Sequence, residues 1–77
     1  MQVEIITPDK NLYEGEATSV LVPASDGELG IFNNHAPLIC SLKAGKVKVS
    51  NNGQDQLFDV NGGVVEVLKN KVIVLAE

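Results

Sequence analysis

The chain has 77 residues, a formal net charge of −4, and a sequence pI near 4.8. All six cations are lysines, so an acidic chain without arginine lacks the main bidentate donor for reading bases and repels phosphate backbones; nucleic acid is excluded as a partner class. A single cysteine, Cys40, rules out an internal disulfide, one histidine argues against structural zinc, and no apolar run reaches the roughly 18 residues of a membrane span.

Met1 leads directly into Val3-Glu4-Ile5-Ile6 without a basic or long apolar leader, so no signal peptide is expected and a reducing compartment fits. Val3 to Thr7 starts as alternating apolar and polar positions and stops at Pro8-Asp9-Lys10-Asn11, a turn with proline second. Leu12-Tyr13-Glu14 resumes extended structure, Gly15 marks a bulge or bend, and Ala17 to Val22 is β-branched enough for another strand, which Pro23 ends.

From Pro23 to Leu38 the composition changes to Ser, Asp, Gly, Asn and Pro. These residues supply turn geometry, so the stretch is expected to be a shaped loop around a short strand, forming a contact surface. Leu38 to Leu42 has strand length and places Cys40 as a small hydrophobe. Lys46 to Ser50 alternates valine and lysine; Asn51-Asn52-Gly53 is a hairpin signal, with Gln54 to Val60 as the returning strand. Asn61-Gly62-Gly63 turns into Val64 to Leu68, and Lys69-Asn70 turns into Lys71 to Ala76.

Turn signals every eight to twelve residues and no helical periodicity indicate an all-β, single-domain antiparallel sandwich over residues 1–77, with about nine or ten short strands in two sheets. So small a core gains little net stability, on the order of 3 to 5 kcal/mol, which points to support from a protein partner. The last strand puts apolar side chains on both faces. Either a curled sheet buries both, or the outer parity forms an apolar docking patch with Val64 and Leu68.

Candidate chemistry is sparse. Ser25, Asp26 and His35 supply the residue types of a hydrolytic triad but no nucleophile elbow, and Asp26, Glu28 and His35 match no metal-binding loop. Structural roles are expected instead: an Asx-type turn for Asp26 with Gly27, and a loop-fixing hydrogen bond for His35. Tyr13 and Phe32 are core fillers by default, and Phe32, set among turn residues, is also a candidate contact anchor. Residues 1–28 carry six acids and one lysine, whereas 29–77 carry five lysines and four acids, an asymmetry able to steer a basic partner or simply form a solvated face.

Ser25-Asp26-Gly27-Glu28-Leu29-Gly30-Ile31, then Asn34-His35-Ala36-Pro37-Leu38, Leu42-Lys43-Ala44-Gly45 and Gly62-Gly63-Val64-Val65-Glu66-Val67 resemble the epsilon subunit of F-type ATP synthase, called delta in mitochondria. The resemblance runs from Val3 to Glu77, departing at Phe32-Asn33-Asn34, where the family often has proline or glycine, and at Cys40. It implies a non-catalytic β-sandwich at the foot of the central stalk, without cofactor or metal. It would be bound to gamma and to the polar loops of the c-ring, helping couple proton-driven rotation to ATP synthesis, peripheral to the cytoplasmic face of the bacterial inner membrane. Asp26, Glu28, Phe32, Asn34 and His35 are the implied c-ring and gamma contacts, and Val64, Leu68, Ile73 and Leu75 the candidate outer face for gamma. Many family members continue into an inhibitory two-helix domain, so a chain ending at Glu77 is expected not to act as a rotor-blocking inhibitor. The alternative is a stand-alone β-sandwich binding or adaptor module; with aromatics at 4% and no tryptophan, a sugar-binding version is poorly equipped.

Overall fold

The computed structural model describes residues 1–77 as nine strands with no helix, hence none long and apolar enough to cross a membrane. The strands are β1 (Gln2–Ile6), β2 (Asn11–Glu16), β3 (Ser19–Ala24), β4 (Gly27–Phe32), β5 (Leu38–Leu42), β6 (Gly45–Asn51), β7 (Gln54–Val60), β8 (Gly63–Leu68) and β9 (Lys71–Ala76). They form two layers, β2-β1-β9-β8-β5 and β4-β3-β6-β7. The layers are stitched by β3, which pairs with β6 through Ser19, Val20 and Leu21 and meets β5 at Ala24↔Leu42. Pro23 does not end β3. A strand accepts proline where its nitrogen need not donate, and the Pro23 carbonyl takes the Lys43 N–H at 2.8 Å beside this junction.

One pairing departs from the antiparallel expectation: β1 runs parallel to β9, from Gln2↔Lys71 to Ile6↔Leu75. Tight turns impose antiparallel pairing only on the strands they join. β1 and β9 are the first and last strands, connected through the whole domain, so their relative direction is free. The bulge also lies elsewhere than expected. Gly15 pairs regularly with Val3, while the register slips between Ile5 and Ile6, leaving Leu12 as the extra residue on β2.

Side-chain parity builds the core. Val3 and Ile5, Val65 and Val67, and Val72 and Val74 point inward from the five-stranded sheet, against Val20, Val22, Ile31, Val47 and Val49 from the other. Half-buried Cys40 packs against this core. Where edge strands β2 and β7 face each other, Tyr13 and Phe58 close the gap edge to face, with centroids 5.7 Å apart. Turns follow their residues: Asn52 and Gly53 have φ of 51° and 83°, and Lys69 and Asn70 have 51° and 59°, the left-handed pairs of tight hairpins. At the first turn, the Thr7 hydroxyl accepts the Asp9 and Lys10 N–H groups at 3.3 and 3.1 Å.

Candidate functional site: an apolar sheet face and two ends

The short strand expected within Pro23 to Leu38 is present, and it is longer and more central than a loop insert. Gly27 to Phe32 is a six-residue strand in full register with β3, from Ala24↔Gly27 to Ser19↔Phe32. Apolar Leu29 and Ile31 face Val22 and Val20 on the inner side, and that burial outweighs the two glycines. The strand holds its ends about 17 Å apart at 3.4 Å per residue. Asp26 and Glu28 therefore sit at the hairpin end, and Asn34 and His35 at the opposite end of the sandwich.

At the hairpin end Ser25 and Asp26 form the exposed tip, and the Ser25 hydroxyl donates to the Ser41 carbonyl at 3.2 Å. No side-chain hydrogen bond of Asp26 forms the expected Asx turn; Gly27, at φ 129°, makes the bend through its own backbone. Ser25 and Asp26 are thus far from His35, and neither the triad set nor the Asp26, Glu28 and His35 set converges.

At the other end the Phe32–His35 turn is fastened from several sides. Asn34, with φ 63°, donates its N–H to the Asn70 side-chain oxygen at 2.8 Å; the Met1 amino group donates to Asn33 Oδ1 at 2.7 Å; and the His35 N–H donates to the Phe32 carbonyl at 3.2 Å. The His35 ring bond is local, Nδ1 to the neighbouring Ala36 carbonyl at 2.7 Å. Phe32 is 63% exposed, its ring over Gly30 and near Leu21 on the outer side of the four-stranded sheet, so it is not a core filler.

The five-stranded sheet carries the larger feature. Val64 and Leu68 of β8 and Ile73 and Leu75 of β9 all point outward, as their parity opposite the buried valines requires. Ile6 extends the patch beside Leu75, and Ile39, 71% exposed, lies across from Glu66. The apolar parity is thus left open to solvent, which decides between the two readings of the last strand. Ile39 was missed because Leu38-Ile39-Cys40-Ser41-Leu42 reads as a uniformly apolar run. The signal was in its alternation, since Leu38, Cys40 and Leu42 form the inward parity and leave Ile39 with Ser41 outside. The early acids do not form one face: Glu4, Glu14 and Glu16 lie on the outer side of β1 and β2, Asp9 in the first turn, and Asp26 and Glu28 at the hairpin end.

The family model for the ATP synthase delta/epsilon chain β-sandwich domain matches residues 1–77. ATP synthase epsilon chains of Dichelobacter nodosus and Neisseria meningitidis (serogroup C, serotype 2a) are each 43% identical, over 99% and 100% of this chain and 54% and 56% of their own lengths. That of Chlorobium limicola is 43% identical over 99% of this chain and 88% of its own. The chain thus spans about half the length of the first two relatives. Among solved structures, a chain of the Euglena gracilis mitochondrial ATP synthase, in an OSCP/F1/c-ring assembly, superposes with a TM-score of 0.90 at 17% identity, over 96% of this chain and 48% of that one. A chain of the Tetrahymena thermophila central stalk/c-ring superposes with 0.83 at 20% identity, over 97% and 61%. At such identities these superpositions establish the fold. The family model and the bacterial relatives establish the rest: this chain belongs to the ATP synthase delta/epsilon family, of which it forms the β-sandwich domain.

Proposed function

We propose that this chain is a central-stalk subunit of proton-transporting F-type ATP synthase that links gamma to the c-ring and helps couple proton translocation to ATP synthesis, making and breaking no bonds itself. The observation that carries this reading is the open apolar face of the five-stranded sheet on a member of this family. Val64, Leu68, Ile73 and Leu75 are assigned to gamma. Asn34 and His35 join this contact as its rim, because Asn34 is tied to Asn70 in the turn that follows Leu68. Asp26 and Glu28, at the far end, are assigned to the polar c-ring loops, where exposed carboxylates give orientation more than affinity. Phe32 belongs with neither group by direction and is assigned to a gamma contact on the four-stranded side. In the cell the chain would be peripheral to the cytoplasmic face of the membrane through this assembly.

The test is co-purification with gamma and the c-ring from the native membrane. Leu68→Asp with Leu75→Asp removes two aliphatic contacts, about 3 kcal/mol or more, so gamma affinity should fall at least about a hundredfold. Glu28→Lys should leave gamma binding intact and lower proton-coupled ATP synthesis. Failure of the native chain to travel with a gamma subunit would overturn the assignment.

A further inference from the structure

One outward-facing residue of the five-stranded sheet is chemically out of place. Glu66 is half-buried in the middle of β8, directly between Ile39 of β5 and Ile73 of β9 across the two ladders. Two shallow depressions meet at it: one is also lined by Leu68, Lys69, Lys71 and Ile73, the other by Pro37, Ile39 and Leu68, and neither lysine lies within ion-pair distance of its carboxylate. The other half-buried acid on this face, Glu4, is neutralised by Lys71 at 3.1 Å. Glu66 takes part in none of the ion pairs or side-chain hydrogen bonds, and no polar side-chain atom of the chain is buried without a partner, so its carboxylate oxygens stay open to water. An apolar surface closing over Ile39, Leu68 and Ile73 would remove that water, and a carboxylate dehydrated without a counter-charge opposes docking strongly.

We infer that Glu66 selects the partner: the surface that docks on this face is apolar around a single lysine or arginine whose cationic end meets the Glu66 carboxylate. The inference rests on the docking reading above and adds the chemistry of the partner. A second copy of this chain fits less well, because a two-fold pairing centred on Glu66 sets carboxylate on carboxylate. A wholly apolar surface leaves the carboxylate without a counter-ion.

The experiment is titration of the complete chain with the purified gamma subunit from the same organism, at low and high salt, for the native chain, Glu66→Gln, Glu66→Lys and Leu68→Asp. Thermal melts establish that each variant is folded. Glu66→Gln keeps the shape and removes the charge; it should weaken binding about tenfold and flatten its salt dependence. Glu66→Lys should weaken binding at least a hundredfold, and reversing one basic residue of gamma to glutamate should restore it. Glu66→Gln binding as tightly as the native chain, with the same salt dependence, would overturn the inference while a weakened Leu68→Asp kept the docking face. If Leu68→Asp also bound unchanged, the docking face itself would be wrong.

Discussion

The two outer faces of the sandwich are built from strands of similar length but obey different rules. On the four-stranded sheet, β6 alternates strictly: Val47 and Val49 are buried, while Lys46 and Lys48 point outward. Lys46 there meets Asp59 of β7 at 2.6 Å, and Ser50 meets Asp55 at 2.6 Å. On the five-stranded sheet, β8 and β9 carry aliphatic residues at both parities, and the outward set remains exposed in the isolated chain. A face that stays wet needs polar side chains at every second position. A face that lacks them carries an exposed hydrophobic surface; the four-stranded side exposes Phe32 and Leu57 as well, but only beside this polar alternation, whereas on β8 and β9 the outward parity is mostly aliphatic.

Adjacent residues of β9 give the sharpest way to break this comparison. Val74 is fully buried and Leu75 is 53% exposed, so Val74→Asp places an unpaired charge in the core and should cost more than about 4 kcal/mol, enough to unfold the chain. Leu75→Asp should change stability by no more than about 0.5 kcal/mol. Urea denaturation of the two variants would show whether the two parities are as different as they look.

Gly63 tests how closely β8 lies on β9. It has φ 131°, and a Cβ there would collide with the Leu75 carbonyl oxygen, so Gly63→Ala should destabilise by about 3 kcal/mol and distort the apolar face. A thermal melt with gamma titration separates lost stability from lost docking. Asn70→Ala removes the acceptor of the Asn34 N–H at the rim of that face and should cost about 1 kcal/mol, with faster amide exchange at Asn34. The smallest effect is expected on the other face. Lys46 and Asp59 are exposed, so Asp59→Asn should change the urea midpoint by the equivalent of no more than about 0.5 kcal/mol, and less in salt.

Much of the strand pattern was legible because turn chemistry is local. Asn51-Asn52-Gly53 and Lys69-Asn70 stand where the left-handed hairpin pairs form, and the valine-lysine alternation of β6 states which side is buried. The site was legible only in pieces. Asp26, Glu28, Phe32, Asn34 and His35 read as one contact surface around a short strand, but that strand, Gly27 to Phe32, pairs along its whole length with β3 and keeps its ends apart. That pairing sends its ends to opposite poles. Ile39 and Glu66 are remote in the chain and became part of one surface only when β5 paired with β8.

The residues by themselves determined the all-β class, most of the turns, and the family, since periodicity, left-handed turn positions and the Gly27 to Leu38 motifs depend on near neighbours. Tertiary structure alone decided that β1 runs parallel to β9, that β3 continues through Pro23 to bind both sheets, and that a carboxylate without an ion pair stands between Ile39 and Ile73 on the open face. Each of these is a pairing between distant strands, and such pairings are chosen by which faces can be buried together.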